Sequence, residues 1–137
     1  MNSVLFKTEP SDFSFADLVR QGGGAWDGVR NPVALKNMRQ IKKGDRVFIY
    51  HTGSEKAVVG QARAVSEAYP DPKETEPGSL VVIDLVPVAA LSRPVSLGAL
   101  KGSPVFGNSP LVRQGRLSVV PLSPAQAALI ETLGAAK

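Results

Sequence analysis

The sequence predicts an α+β fold in which a small β-barrel of about five or more strands is flanked by short helices. Strand-like apolar runs outnumber the helical segments, and the regular helical crossovers of about 10 to 15 residues that join parallel strands are missing. A barrel closed on itself would also remove the free edges of so few strands. The 137 residues correspond to about one domain on the usual scale of roughly 100 to 200 residues. We therefore expect one domain over residues 1–137.

The first predicted elements are a strand and a short helix. Residues 3–8 form an apolar run typical of a strand. Ser14, followed three residues later by Asp17, predicts a capping box that opens a helix through Arg20. The glycines at 22–24 are then expected to end the helix in a loop.

The next predicted elements are a second helix and a buried strand. Asn31 before Pro32 has the composition of an N-cap followed by the first helical position. The apolar positions expected on this helix are Val33, Leu35, Met38 and Ile41. A turn at 43–45 leads into residues 46–51, whose continuous apolar run indicates a strand buried on both faces.

The second half of the chain contains more strands and shorter helices. Residues 57–67 and 80–91 are rich in Val, Ile and Ala and are predicted strands. A loop marked by prolines and Gly78 separates them. The remaining expected elements are a brief helix from 96 to 101, a loop over 102–110, a strand over 117–121 and a helix from Ser123 to Gly134.

Positive charge is concentrated in one stretch of the sequence. The formal net charge is +4, but residues 26–46 alone carry six Lys or Arg against two Asp, while 66–84 is acidic. This uneven distribution of charge suggests a basic surface that attracts a polyanion, although a solvated helix face explains the basic stretch equally well. The residues that we expect to contact phosphates are Lys36, Arg39, Lys42 and Lys43.

Composition argues against several other classes of protein. Cysteine is absent and His51 is the single histidine, so we expect no thiolate nucleophile, no disulfide, no metal site and no cofactor. No apolar run approaches the roughly 18 residues of a membrane span, and Lys7 and Glu9 stand where a signal peptide would be apolar. A cytoplasmic protein without a membrane partner is expected.

Five blocks of sequence, taken together, resemble the EVE domain, a branch of the PUA-like superfamily. The blocks are Phe6-Lys7-Thr8-Glu9-Pro10 with Phe13-Ser14 and Asp17-Leu18, then Trp26-Asp27-Gly28-Val29-Arg30-Asn31, then Lys43-Gly44-Asp45 with Tyr50-His51-Thr52, then Val59-Gly60 with Tyr69-Pro70-Asp71-Pro72, and Arg116-Leu117-Ser118-Val119-Val120-Pro121. They keep their order over nearly the whole chain. The resemblance implies a PUA-like barrel that binds nucleic acid and recognises a modified base, such as a modified cytosine.

Two features depart from the family pattern. The segment 73–79 is short, and the strand that follows it has no tryptophan, so one wall of the pocket is expected to differ. Phe13 stands where tyrosine is common, which removes one hydroxyl.

A base presents two flat apolar faces and a polar edge, so its pocket needs an aromatic wall and a few hydrogen-bonding groups. Trp26 is the single tryptophan, and we expect it at the rim of the pocket, at a loop-to-helix junction. Glu9 could accept from an exocyclic amine. The full set of expected base-binding residues is Lys7, Thr8, Glu9, Pro10, Trp26, Asp27, Gly28, Val29, Arg30, Asn31, Tyr50, His51, Thr52, Ser118 and Val119.

Each of these residues also has a purely structural explanation. Trp26 could be a large core residue, and Glu9 could form a surface salt bridge. A single histidine is more often a hydrogen-bonded structural residue than a catalyst. Asn31 has a sufficient role as a helix cap, and Val119 could belong to the core.

The sequence thus favours a non-enzymatic, monomeric reader whose pocket takes a base, either flipped or already unpaired. A partner nuclease or modification enzyme is also expected. The alternatives are an RNA-binding PUA-like domain linked to RNA modification and a module that binds a small molecule or peptide. A hydrolase using Glu9 or Asp27 with His51 is the least favoured, since no nucleophile motif or metal-ligand cluster is evident.

Overall fold

The computed structural model describes residues 2–73, 80–107 and 109–135. The strands are β1 (Ser3–Thr8), β2 (Gly24–Trp26), β3 (Arg46–His51), β4 (Ala57–Ala64), β5 (Tyr69–Pro70), β6 (Val81–Ser96) and β7 (Val119–Leu122). The helices are α1 (Phe15–Gln21), α2 (Pro32–Arg39), α3 (Leu97–Lys101), α4 (Pro110–Arg113) and α5 (Pro124–Gly134), with a 3₁₀ turn at Pro104–Phe106. The predicted loop residues Pro77 and Gly78, and most of the short segment 73–79, lie outside the described residues.

The strands form one mixed sheet curled into a half-barrel, in the order β2-β6-β4-β3-β1-β7, with β5 paired to β6. The pair β1 and β3 is parallel, and the other pairs are antiparallel. The predicted α+β fold, a small barrel of more than five strands with short flanking helices, is therefore confirmed in the form of a half-barrel.

The expectation of a closed barrel needs one correction. Within the described residues the end strands β2 and β7 pair with β6 and β1 but not with each other, so the sheet is open. These edge strands have only 3 and 4 residues, and helix α2 packs against both β7 and β6. Short, covered edges avoid intermolecular pairing without closure.

The hydrophobic core lies against the central strands. Residues 47–51 of β3 are all buried, as predicted for a strand covered on both faces, because β1 and β4 flank it and helices cover the sheet. In the described part of the chain no helix is long and apolar enough to cross a membrane.

The N-terminal predictions hold except at the glycine run. Ser14 and Asp17 form the capping box of α1, but Gly24 begins strand β2 and does not continue a loop. A Cβ on Gly23 would lie 2.5 Å from the carbonyl oxygen of Leu85, and its φ is +118°. The glycines therefore let the chain approach β6 closely enough to pair with it, which the loop interpretation missed.

Other element boundaries also differ from prediction. Helix α2 ends at Arg39, so Ile41 lies beyond it but is buried, whereas Val33 is 50% exposed. The predicted strand 57–67 ends at Ala64, and the strand predicted over 80–91 continues to Ser96 because β4 pairs along its length. The last strand lies at 119–122 and not at 117–121. The loop predicted over 102–110 contains the 3₁₀ turn. Residues 69–70, which were predicted as loop, form the short strand β5 and pair with β6.

Candidate nucleic-acid interface

The parallel pairing of β1 and β3 brings the ends of both strands to one edge of the sheet. Thr8 lies opposite His51 in the register. The backbone N–H of Thr52 donates to the carbonyl of Thr8 at 2.9 Å, and the Thr52 hydroxyl donates to the same oxygen at 3.3 Å. The strand tips that the sequence assigned to the site are therefore adjacent, and Glu9 follows directly at this edge.

A cavity of about 640 Å³ opens beside the end of β1. Nine predicted base-binding residues line it, namely Lys7, Thr8, Glu9, Trp26, Asp27, Gly28, Val29, Arg30 and Ser118. Five further lining residues were not predicted, namely Asp12, Phe13, Gln21, Ala25 and Lys73. Segments separated by up to about a hundred residues of sequence thus converge on one concave surface, in the size range of roughly 300 to 1,000 Å³ typical of small-ligand pockets.

Trp26 forms the floor of the cavity and is not at its rim. It is 8% exposed and belongs to the hydrophobic core. Its ring centroid lies 5.5 Å from that of Phe6 and 5.7 Å from that of Phe13, the latter edge-on. The rim prediction is wrong because Trp26 ends strand β2, opposite Ile83 of β6, and does not lie at a loop-to-helix junction.

The indole N–H of Trp26 is not sealed within the core. Among the described residues no group accepts its N–H, and no buried polar side-chain atom lacks a hydrogen-bond partner. The N–H must therefore be accessible, and since Trp26 lines the cavity it is available there as a donor.

Phe13 is the half-buried aromatic side chain that sequence reasoning did not assign to the site. Its backbone is held on both sides, since its N–H donates to the carbonyl of Glu9 at 2.9 Å and its carbonyl accepts from the Thr8 hydroxyl at 2.6 Å. The aromatic residue between the β1 end and the Ser14 cap was a usable signal, but only the fold places it against Trp26.

The Glu9 carboxylate is fixed at the mouth of the cavity. Its Oε2 accepts from the backbone N–H and from the hydroxyl of Ser11, both at 3.1 Å. Its Oε1 faces Gly53, where an added Cβ would lie 2.9 Å from that oxygen. Such local hydrogen bonds orient an acceptor before a ligand arrives.

A second carboxylate lies across the cavity. Asp27 and Lys73 both line it, with an Oδ2-to-Nζ distance of 3.8 Å, and both side chains are more than half exposed. A pair so exposed contributes little stability, so either partner can exchange its contact for a ligand group.

Lys7 is the half-buried cation of the site. Its backbone N–H donates to the carbonyl of Ser118 at 2.9 Å, and its Nζ donates to the carbonyl of Gly115 at 3.0 Å. The same Nζ lies 5.6 Å from the centroid of the Tyr50 ring. Burial lowers the pKa of the Lys7 ammonium from its ordinary value of 10.5, because removal from water disfavours the charged form.

His51 lies outside the cavity and has a structural role. Its Nε2 accepts from the backbone N–H of Phe15 at 3.0 Å, and its Nδ1 is 2.7 Å from Oε1 of Glu55. Because Nε2 accepts, the proton is on Nδ1 and is donated to Glu55. The histidine thereby anchors the start of α1 to β3 and lines neither described cavity, so its predicted contact with a ligand stays a prediction.

The other predicted residues outside the cavity have identifiable reasons for being elsewhere. Tyr50 and Thr52 line a second, smaller cavity. Val119 is fully buried, and its carbonyl accepts from Nδ2 of Asn37 at 2.9 Å. Asn31 caps α2 through the N–H groups of residues 33 and 34. Pro10 is half-buried in the turn after β1 and does not line the cavity.

The cations predicted to bind phosphates are exposed but do not line the cavity. The exposed residues are Lys36, Arg39, Lys42 and Lys43. Arg30, which does line the cavity, immediately precedes the Asn31 cap of α2, so the basic helix begins at the cavity edge. Among the described residues no group of three or more His, Cys, Asp or Glu side chains could hold a metal ion.

Comparison with known proteins supports one family. The model of the EVE domain matches residues 2–133. Thymocyte nuclear protein 1 of Rattus norvegicus is 33% identical over 156 residues, covering 89% of this chain and 69% of the rat protein. The NMR structure of Rpa0253 from Rhodopseudomonas palustris is 38% identical with a TM-score of 0.90, covering 98% of this chain and 93% of that one. The crystal structure of human THYN1 in complex with 5-methylcytosine-containing DNA is 28% identical with a TM-score of 0.88, covering 100% and 99% of the two chains.

Proposed function

The chain belongs to the EVE domain family, and from this membership and the cavity geometry we propose that it binds DNA by taking one modified base, such as 5-methylcytosine, into the cavity above Trp26. A single observation carries the proposal: an aromatic floor, an oriented carboxylate and a half-buried lysine face one cavity of about 640 Å³. A structurally similar protein, human THYN1, is bound to 5-methylcytosine-containing DNA.

The polar groups of the cavity complement the edge of a cytosine. That edge offers one exocyclic amine as donor and ring acceptors beside it. Glu9 accepts from the amine, while the Trp26 N–H and the Lys7 ammonium donate to the acceptors. Charge-assisted hydrogen bonds of this kind are about twice as strong as neutral ones.

The apolar groups of the cavity contact the faces of the base and its methyl group. Phe13 is half-buried and offers more surface for stacking than Trp26, which is 8% exposed. Val29 and Ala25 add aliphatic surface, which suits a methyl group at C5 just as apolar side chains suit the methyl group of thymine. Extrusion of a base costs a few kcal/mol, and stacking at about 1 to 3 kcal/mol per base offsets much of that cost.

We propose binding without catalysis. The sole imidazole, His51, is 8% exposed and is engaged by Phe15 and Glu55, so it is not placed to act on a base in the cavity. The lining has three cations and three carboxylates, so its charge does not separate nucleic acid from a peptide, and the DNA complex of human THYN1 is what supports nucleic acid. Binding of a neutral peptide would be insensitive to salt, whereas DNA binding weakens as salt rises.

The test is a titration of wild type, Glu9→Gln and Trp26→Phe against duplexes that differ only in one 5-methylcytosine. Glu9→Gln removes the charge and keeps the shape of the side chain, whereas Trp26→Phe removes the indole N–H together with one ring and keeps an aromatic side chain at the floor. We expect affinity for the modified duplex to fall about 5- to 150-fold, or about 1 to 3 kcal/mol, while binding to the unmodified duplex changes little.

Glu67→Gln is the matched control, because it removes an exposed carboxylate that does not line the cavity. It should bind both duplexes as wild type does. A wild-type protein with no preference for the modified duplex contradicts the proposed function, and equal losses on both duplexes contradict the assignment of Glu9 and Trp26.

A further inference from the structure

The second cavity, of about 270 Å³, adjoins the first and is lined by residues from distant segments. Its rim carries Lys7, Lys56 and Lys101, and its floor includes Leu97 and Leu111. We propose that this cavity holds the phosphate and sugar of the nucleotide next to the base in the first cavity. This inference rests on the proposed function and names the part of the DNA that this second site takes.

The charges around the second cavity favour an anion. Three ammonium groups line it, and none of the described lining residues carries a carboxylate. The two nearest acids along the chain, Glu9 and Glu55, do not line this cavity and are hydrogen-bonded elsewhere, to Ser11 and His51. A phosphodiester in this cavity would therefore meet three ammonium groups and no carboxylate among the lining residues.

The positions of the lysines are set by the backbone. Lys56 has a φ of +46° and is the one non-glycine residue in the described chain with positive φ. Its carbonyl accepts from the N–H of Leu97 at 2.8 Å, which ties the β3–β4 turn to the start of α3, the helix that ends in Lys101. Both lysines are exposed, so a strand can reach them from solvent.

Two contacts connect the cavities. Lys7 lines both of them. Gly53 lines the second cavity and approaches Glu9 of the first so closely that a Cβ would lie 2.9 Å from its Oε1. A chain molecule with a base in the first cavity can therefore continue past Lys7 into the second.

The apolar floor and the size of the second cavity indicate a sugar–phosphate unit. A free inorganic anion would use only the lysines and leave Leu97 and Leu111 uncovered. The cavity is also slightly smaller than the roughly 300 to 1,000 Å³ of pockets that hold a complete small ligand. It therefore suits one segment of a longer ligand.

The experiment compares Lys56→Gln/Lys101→Gln with wild type, using the duplex that carries one 5-methylcytosine at several salt concentrations. We expect the slope of log affinity against log salt to become shallower by about 0.9, because the one phosphate proposed to lie in this cavity contributes about 0.9 on duplex DNA. The double variant should lose more affinity for the modified duplex than for the unmodified one, since the flanking phosphate reaches the second cavity only when the base is in the first cavity. An unchanged slope overturns the inference, and thermal melting shows whether the variant is folded.

A second measurement separates this inference from the proposed function. Binding of 5-methyl-2′-deoxycytidine is compared with binding of its 3′- and 5′-monophosphates. We expect one monophosphate to bind more tightly than the nucleoside, and the double variant to abolish this gain without changing nucleoside binding. Failure of the nucleoside to bind contradicts the proposed function, whereas nucleoside binding with no gain from either monophosphate contradicts the second site alone.

Inorganic phosphate is the competitor that distinguishes a free anion from a strand. If phosphate binds wild type and not the double variant, while both bind the modified duplex equally, the second cavity is a free-anion site and the inference is wrong. The matched control is Lys36→Gln/Lys42→Gln, which removes the same charge near α2. It should lower affinity for modified and unmodified duplexes equally.

Discussion

The basic surface near α2 and the lysines around the two cavities carry similar charge in different structural settings. Lys36 and Lys42 lie on or just after one helix, are exposed, and line neither of the cavities described above. Lys7, Lys56 and Lys101 come from β1, the β3–β4 turn and α3, and they converge on one cavity. Clustering of charge along the sequence marks a solvated helix, whereas clustering in space marks a place where a ligand can be enclosed.

The two regions also differ in how they depend on the core. The first cavity has Trp26 as its floor, packed against Phe6 and Phe13, so its shape depends on buried contacts. The α2 cations project from a helix whose opposite, apolar side packs into the hydrophobic core through Leu35 and Met38. Changes in the cavity should therefore affect both stability and binding, and changes on α2 should affect binding alone.

The largest expected effect contrasts Trp26→Ala with Lys36→Ala. Truncation of a buried tryptophan should lower the free energy of unfolding by about 3 to 5 kcal/mol through lost burial and a residual cavity. The exposed lysine should change it by at most about 0.5 kcal/mol. Urea denaturation measures both, and a loss below about 1 kcal/mol for Trp26→Ala would mean that the tryptophan is not part of the core. Trp26→Phe is therefore the better variant for binding studies.

A smaller effect contrasts Lys7→Met with Lys42→Met in DNA binding. Lys7 lines both cavities, so removal of its ammonium should cost about 1.5 to 3 kcal/mol of affinity for the modified duplex, the range for hydrogen bonds to charged groups. Lys42→Met should weaken modified and unmodified duplexes alike, because phosphate contacts carry no sequence information. If Lys7→Met, like Lys42→Met, weakens binding of modified and unmodified duplexes equally, the cavities and the α2 surface do not differ in base recognition. Thermal melting controls for the lost contact between Lys7 and Gly115.

The smallest effect is on the titration of Lys7. Because burial lowers the pKa of its ammonium below 10.5, Lys7 should lose its charge at lower pH than a lysine in an unfolded peptide. Its contribution to DNA affinity is then present at neutral pH and is lost as pH rises through the lowered pKa. NMR titration of the lysine side chains in the folded protein and in urea measures the shift. A Lys7 pKa at or above the urea value would contradict the described burial.

Bound DNA should reverse that shift. A phosphate beside Lys7 favours the charged form, so the modified duplex should raise the Lys7 pKa relative to the free protein. The same titration in the complex provides the measurement. A pKa unchanged by the duplex would place the DNA backbone away from Lys7.

Local chemistry in the sequence was sufficient to predict many elements. The Ser14–Asp17 capping box, the Asn31 cap before Pro32, and the apolar run at 46–51 each act through neighbouring residues, and all three are found in the structure. The resemblance to the EVE domain likewise depends on short blocks in a fixed order, and the family match over residues 2–133 confirms it.

Tertiary structure decided which of the candidate residues face a common cavity. Tyr50 is buried like its neighbours in β3, and only the folded structure shows that it lines the second cavity. Phe13 and Lys101 become site residues because α1 and α3 dock where they do, which depends on pairings such as β4 with β6 between residues far apart in sequence. The sequence by itself determined the helix caps, the strand runs and the family. The walls of the site were decided by long-range packing, because a side chain's environment depends on elements that meet it only after the chain has folded.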